Sequence, residues 1–128
     1  MPTFLWIGLG GFVGANARYL MGVWAAGRWG TAFPLGTLLV NVSGSFVLAF
    51  FLTLTGERLI VTPQARLLVA VGFFGGFTTF SSFSYETVRL AEQSGWGPAL
   101  ANVAGNMVLG LLGAILGVVA ARWLQRGG

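Results

Sequence analysis

Several residue types that carry catalytic and metal chemistry are missing from this sequence. It contains neither Cys nor His, and its seven basic residues are all Arg. These absences exclude imidazole acid–base catalysis, a Schiff-base or phosphate-loop lysine, and metal sites built from thiolate or imidazole ligands. Without Cys there is no disulfide framework either. The three acidic residues are all Glu and lie at or near predicted helix ends, so we expect that the protein is not an enzyme.

Charge of either sign is scarce. Only 8% of the residues are charged, whereas 55% are hydrophobic, a balance outside the range of soluble globular chains. The formal net charge of +4 comes from Arg residues that are scattered singly and form no basic patch. Because a nucleic-acid surface needs clustered positive charge to neutralise phosphates, we do not expect a nucleic-acid partner. The composition instead predicts an integral membrane protein surrounded by lipid.

Four stretches without a charged residue divide the chain, at residues 1–17, 29–56, 67–85 and 93–121. About 20 apolar residues cross the ~30 Å of hydrocarbon in a bilayer. The first stretch reaches that length when the helix continues past Arg18. The sequence therefore predicts an all-α membrane protein with one domain over residues 1–128. Its four transmembrane helices are expected at about 4–26, 33–55, 64–90 and 99–124.

Local signals support these helix boundaries. Pro34 stands where the second helix should begin, and Thr62 followed by Pro63 is typical of an N-cap with proline at the first helical position. A turn is expected at residues 56–58. The first fifteen residues carry no basic side chain, so no cleaved targeting peptide is expected.

The third predicted helix has an unusual middle. Residues 72–84, GFFGGFTTFSSFS, combine helix-weakening glycines with hydroxyl side chains at membrane depth. A break or kink is expected near residues 75–79. A kink could be purely structural, but a broken helix also frees backbone carbonyls that can hold a cation. The carbonyls of Gly75 and Thr78 are the candidates.

The Arg residues are divided almost evenly between the two sides of the predicted bundle. This positive-inside bias is weak and permits insertion in both orientations, which leaves an antiparallel dimer open. One side carries Arg58, Arg66, Arg122 and Arg126; the other carries Arg28 and Arg89, with Arg18 as a third candidate.

Polar groups placed in hydrocarbon cost free energy unless they find a partner or a hydrated path. In the first helix, Arg18 interrupts a face of small residues that is typical of close helix packing. Its guanidinium either extends to the interface or attracts anions to a vestibule. The small residues on that face are Gly8, Gly11, Gly14, Ala15 and Gly22.

The second and fourth helices place amides at membrane depth. Asn41 lies on one face with Thr37, Gly44 and Ser45, where it can form an interhelical hydrogen bond or donate N–H to an anion; we favour the anion. For Asn102 and Asn106, pore lining and interhelical bonding stay open. Gly110, Gly113 and Gly117 follow on the same side and are expected to serve packing.

Phe80 and Phe83 are three residues apart and therefore share a helix face, next to Ser81 and Ser82. Such a pair usually packs in a core. The edge of a benzene ring is weakly positive, however, so edge-on rings could also line the path of a small anion.

Three segments together resemble the Fluc fluoride-channel family, also called CrcB, over nearly the full length of the chain. They are GGFVGANARY at residues 10–19, TLLVNVSGSF at residues 37–46, and the glycine and hydroxyl segment at residues 72–84. All three occur in this order and within a chain of this length, which makes the resemblance specific.

The resemblance implies an antiparallel, dual-topology homodimer with a broken third helix and two pores that export fluoride passively across the plasma or inner membrane. It implies a structural Na⁺ at the dimer centre, held by the backbone carbonyls of Gly75 and Thr78. The pore residues that it implies are Asn41, Phe80 and Phe83, followed by Thr37, Ser81, Ser82 and Glu86. The fourth helix departs from the family, because many relatives place Tyr and Ser where this chain has Asn102 and Asn106.

Two other functions remain as alternatives. A small proton-coupled multidrug exporter would carry a membrane-embedded carboxylate near the middle of its first helix, and no acidic residue lies there. A non-transporting assembly subunit would need packing glycines but not buried amides and hydroxyls. Fluoride would be favoured by a lining of N–H and O–H donors that replaces its hydration shell.

Overall fold

The computed structural model describes residues 1–57 and 61–127, without the side chain of Glu57, and this part of the chain is helical with no strand. The first two helices are α1, Thr3–Trp29, and α2, Leu35–Glu57. The third span consists of α3, Pro63–Arg66, a π-helical segment π1, Leu67–Phe73, then α4, Phe74–Phe77, and α5, Phe80–Gln93. The fourth consists of α6, Trp96–Ala104, the π-helical segment π2, Gly105–Leu109, and α7, Gly110–Gly127.

The four helical spans follow the order that the sequence predicts, with ends shifted by a few residues. Thr62 caps α3 as expected, since its hydroxyl oxygen accepts the N–H of Ala65 at 3.1 Å. At residues 56–58 a turn was expected, but α2 continues through Gly56 and Glu57. Arg58, the last residue of that expected turn, lies outside the described residues. The π-helical segments have no counterpart in the sequence analysis.

The distribution of polar and apolar side chains is that of a membrane protein. Residues 35–56, 63–93 and 96–127 form helices long and apolar enough to cross a bilayer, and α1, at ~1.5 Å per residue, has the length to do so as well. Large apolar side chains such as Phe12, Leu111 and Leu116 are exposed, whereas Asn102 and Asn106 are buried. Because lipid rather than water solvates such a surface, the chain is a multi-pass membrane protein.

Close packing of α1 against the third span depends on glycines. Gly14 is buried, and a Cβ there would collide with the backbone of Phe73; a Cβ on Gly72 would come within 2.7 Å of the carbonyl oxygen of Ile7. The face predicted from the sequence was wrong in part: Gly10 is a packing glycine, whereas a Cβ on Gly8 would meet open space. The expected role of the glycines in α7 is confirmed, since Gly110, Gly113 and Gly117 are buried.

The predicted interruption of the third helix is confirmed, at the end of the predicted range. Thr78 and Thr79 have extended backbones, with φ/ψ of −82°/156° and −151°/119°. Gly75 itself remains helical, within α4. Thr79 then starts α5, because its hydroxyl oxygen accepts the N–H of Ser82 at 3.1 Å. The interruption lies beside the core cluster of Val40, Phe74 and Phe77.

Candidate functional site

A cleft of about 230 Å³, here called the break cleft, lies beside the interruption of the third span. Its walls combine hydroxyls, amides and aromatic rings from three of the four helical spans. Five residues predicted from the sequence to form the site are among those that line it. The lining is Asn41, Ser45, Thr78, Thr79, Phe80, Phe83, Asn106 and Met107.

Asn41 forms hydrogen bonds to the backbone at the interruption. Its side-chain oxygen accepts the backbone N–H of Thr79 at 2.8 Å, and its Nδ2 donates to the carbonyl of the same residue at 3.1 Å. One amide side chain thus satisfies both backbone polar groups of an extended residue, which would otherwise be costly at membrane depth. Nδ2 also donates to Oδ1 of Asn106 at 2.9 Å. In this structure the N–H groups of Asn41 are engaged by protein acceptors, and the anion-binding role that we favoured for it stays a prediction.

The two amides of the fourth span extend this contact into a network, here called the amide ladder. Asn106 donates through Nδ2 to the backbone carbonyl and to Oδ1 of Asn102, at 2.9 and 3.1 Å. Asn102 donates to the hydroxyl oxygen of Thr87 at 2.9 Å, and that hydroxyl donates to the carbonyl of Phe83 at 2.7 Å. Pore lining and interhelical bonding were both left open for Asn102 and Asn106, and their contacts include hydrogen bonds to other helices. Asn106 also lines the break cleft, whereas Asn102 is fully buried behind it.

The backbone carbonyls of Gly75 and Thr78 are among those at the interruption that lose the N–H groups that a continuous helix would supply. The i+4 donor for Gly75 is Thr79 N–H, which bonds to Asn41 instead. The i+4 donor for Thr78 is Ser82 N–H, which bonds to the hydroxyl of Thr79. Both carbonyls are thereby left with acceptor capacity that the helix does not use.

The aromatic pair consists of one buried ring and one exposed ring. The rings of Phe80 and Phe83 have centroids 5.6 Å apart with planes inclined at 56°. Phe83 is 6% exposed, but Phe80 is 72% exposed. Only one ring of the pair is therefore packed inside the chain, while the other projects beyond it.

Two further clefts continue from this point toward one end of the bundle. The middle cleft, about 310 Å³, is lined by polar residues of three spans and by apolar residues of α1 and α2. The lining is Arg18, Tyr19, Gly22, Val23, Ala26, Gly36, Thr37, Thr79 and Ser82. The end cleft, about 510 Å³, is lined by residues 30–37 and by Glu86 and Arg89. Thr79 lines both the break and middle clefts, and Thr37 lines both the middle and end clefts. The three clefts are therefore neighbours in series.

Charged side chains line the middle and end clefts. Arg18 is half-buried and donates through Nε to the carbonyl of Gly76 at 3.1 Å, so it contacts the third span while lining the middle cleft. Thr37 donates its hydroxyl to Glu86, with oxygen distances of 2.6 and 3.1 Å. Arg89 lies over the ring of Tyr85 at 5.9 Å. The end cleft thus combines a carboxylate with a guanidinium.

Some residues predicted for the site lie apart from the clefts, and others were missed. Ser81 is exposed and lines none of the three clefts; its hydroxyl lies 3.3 Å from that of Thr79. Thr79 and Thr87 were not among the residues predicted for the site. Thr79 could have been found as the residue after the break. Nothing in the local sequence singles out Thr87, since its partner lies on another helix.

Comparison with known proteins identifies the family. Residues 5–118 match the model of the family described as CrcB-like protein, Camphor Resistance (CrcB). The chain belongs to this family. The resemblance found in the three sequence segments is therefore confirmed, and it extends over most of the chain.

Close relatives carry the name "Fluoride-specific ion channel FluC". The protein of Koribacter versatilis is 50% identical over 117 residues, which cover 91% of this chain and 92% of the relative. The protein of Sorangium cellulosum is 46% identical over 127 residues, covering 99% and 100%. That of Chloroflexus aurantiacus is 44% identical over 123 residues, covering 96% and 98%. The CrcB chain and these relatives therefore correspond along nearly their whole lengths.

Proposed function

We propose that this CrcB chain forms a passive, fluoride-selective channel, not an enzyme, and that it exports fluoride across the cell membrane. The observation that carries the proposal is the break cleft, where Asn41 and the pair Phe80 and Phe83 meet beside an interrupted membrane helix. Relatives up to 50% identical are named fluoride-specific ion channels. A plasma-membrane or inner-membrane location follows from this role.

The cleft chemistry suits a small, strongly hydrated anion. Such an ion enters a narrow pore only where donors replace its water. The hydroxyls of Ser45 in the break cleft and Ser82 in the middle cleft are not bonded to other groups among the described residues, so both can donate to fluoride. The edges of the aromatic pair add weakly positive surface. Arg18 and Arg89 raise the local anion concentration along the clefts.

The remaining residues of the proposed path have defined positions. Thr37 stands between the middle and end clefts, with Glu86 accepting its hydroxyl hydrogen. Asn41 and Asn106 support the wall of the break cleft through the amide ladder. Ser81 lies outside the clefts of a single chain, and Asn102 acts through its neighbours rather than by contact with the ion.

The functional unit in this proposal is an antiparallel homodimer in lipid, with both orientations inserted. Phe80 projects from the chain, and Gly75 is exposed beside it. A second copy packed across the interruption would cover both and complete the walls of two pores. No nucleic acid is involved, since the Arg residues lie singly along the chain.

A structural Na⁺ at the dimer centre fits the residues at the interruption. The carbonyls of Gly75 and Thr78 have lost their i+4 donors to Asn41 and Thr79, and carbonyl oxygens suit a hard cation. No group of three carboxylates is present in residues 1–57 and 61–127 to serve instead. When bound, the ion would offset the partial negative charge of the carbonyls.

The assembly is tested by the mass of the purified particle in detergent. In Na⁺ we expect twice the mass of one chain by light scattering. When Na⁺ is replaced by a large organic cation that cannot enter between carbonyls, the mass should fall toward that of one chain. A monomer in Na⁺ contradicts the dimer, and a dimer indifferent to cation replacement contradicts the structural ion.

The channel itself is tested by fluoride efflux from liposomes, measured with a fluoride electrode. Vesicles with the wild-type protein should release fluoride without any proton gradient and should retain chloride in a parallel measurement. Empty vesicles are the control. Drug efflux that collapses with the gradient would instead indicate an exporter, although α1 holds no acidic residue. Folded protein that leaves the vesicles as fluoride-tight as empty ones would indicate an assembly subunit.

A further inference from the structure

The amide ladder is a chain of hydrogen bonds that begins and ends on the third helical span. It runs from Thr79 at the start of α5 through Asn41 of α2, then through the fourth span, and ends at Thr87 of α5. Asn102 is 0% and Asn106 8% exposed. The ladder therefore has to satisfy its own donors and acceptors, since neither water nor lipid can do so.

The direction of the bonds in this path is fixed at both ends, at Thr79 by its backbone N–H and carbonyl and at Thr87 by its hydroxyl. The hydroxyl of Thr87 donates to the carbonyl of Phe83 at 2.7 Å. The hydroxyl oxygen of Thr87 therefore acts as an acceptor for Nδ2 of Asn102. With Nδ2 of Asn102 directed to that oxygen, its Oδ1 faces Nδ2 of Asn106.

The orientations of Asn106 and Asn41 agree with this direction, and backbone groups hold them as well, since Nδ2 of Asn106 also donates to the carbonyl of Asn102. Asn106 must then present Oδ1 to Asn41, which turns Nδ2 of Asn41 toward it. The Oδ1 of Asn41 is thereby left facing the backbone N–H of Thr79. Reversing any one amide would bring two oxygens or two N–H₂ groups together.

We propose that Thr87 is a positioning residue that fixes the amide orientation of Asn102 and so closes the ladder that supports Asn41 at the break cleft, without contacting the ion. This inference rests on the proposed channel function for its flux readout. It assigns a role to a hydroxyl that lines none of the three clefts. Without that hydroxyl, Nδ2 of Asn102 loses its acceptor, and a reversed Asn102 would leave Asn106 with only the backbone carbonyl of Asn102 to bond to.

The test compares Thr87→Val, which keeps the shape but removes the hydroxyl, with Thr87→Ser, which keeps the hydroxyl. We expect Thr87→Val to slow fluoride efflux about fivefold, the usual effect of one hydrogen bond, and Thr87→Ser to behave as wild type. Thr55→Val is the matched control, because Thr55 makes the same i−4 bond, to Phe51 at 2.7 Å, but belongs to no part of the ladder.

A second readout does not depend on transport. With ¹⁵N-labelled Asn, the side-chain amide signals of Asn41, Asn102 and Asn106 should shift or broaden in Thr87→Val and not in Thr87→Ser. Asn16 serves as the internal control, since its amide bonds only to the carbonyl of Phe12, at 2.7 Å, on the exposed face of α1.

The outcomes separate this inference from the channel itself. Unchanged amide signals in Thr87→Val overturn the inference, as does equal loss of flux in Thr87→Val and Thr87→Ser, which would point to packing of the methyl group. Wild-type protein that retains fluoride overturns the channel, while the amide signals still test the ladder. If Thr87→Val does not fold, Thr87→Ala replaces it in the same comparisons.

Discussion

Asn41→Asp is expected to reduce fluoride efflux by about 100-fold, which corresponds to a barrier raised by about 2.7 kcal/mol through charge repulsion. The carboxylate keeps the bond from the N–H of Thr79 but cannot donate to the carbonyl of Thr79 or to Asn106. It also places a negative charge on the wall of the break cleft, where it repels fluoride. The measurement is electrode-recorded efflux from liposomes containing equal amounts of assembled protein.

The control for this substitution lies two residues further along α2. Ser43 is exposed, and its hydroxyl bonds only to the carbonyl of Leu39 at 2.6 Å, so Ser43→Ala should leave efflux unchanged. Asn41→Ser, a neutral variant that keeps one hydroxyl donor, should lose less than Asn41→Asp. Wild-type efflux by an assembled Asn41→Asp protein would remove this residue from the channel mechanism.

Phe80→Met is expected to reduce fluoride efflux by about tenfold, near the upper end of what an oriented aromatic edge contributes. Methionine is also apolar and flexible, but it lacks a weakly positive ring edge. Because Phe80 is 72% exposed within one chain, the substitution should leave the fold of that chain intact. Efflux and elution volume on size exclusion are compared for the same preparation.

Phe12→Met is the matched control, since Phe12 is 71% exposed on α1 and lines none of the three clefts. We expect it to conduct as wild type. If both substitutions reduce efflux equally, the effect belongs to the lipid-facing or partner-facing surface in general. An unaltered rate in Phe80→Met alone would show that the ring edge does not contribute to conduction.

The position of the interruption illustrates how far the sequence could lead. Glycines followed by hydroxyl residues predicted a break at residues 75–79, and the extended residues are Thr78 and Thr79. The glycines nevertheless stay helical, because helix propensity is a small term that tertiary contacts override. What holds the break open is the amide of Asn41, a residue 38 positions away from Thr79.

The candidate site was predictable residue by residue but not as an arrangement. Asn41 and Asn106 were singled out by their cost at membrane depth, and Phe80 and Phe83 by their shared helix face. The structure places all four at one cleft. Their bonding was not predictable, since an amide can serve an anion or a neighbouring helix equally well. The structure shows Asn41 bonded to Thr79 and Asn106 of neighbouring spans.

The sequence by itself determined the membrane class, the four spans and the weak point of the third, because hydropathy, charge and glycine content act locally along the chain. It also determined which polar groups would need partners. Only the tertiary structure decided which groups are those partners. It determines which amide pairs with Thr79 and which carbonyls keep free acceptor capacity, and it places Thr87 at the end of the ladder. Hydrogen bonds between spans depend on helix rotation and register, and these are set by packing contacts such as Gly14 against Phe73 that no single segment encodes.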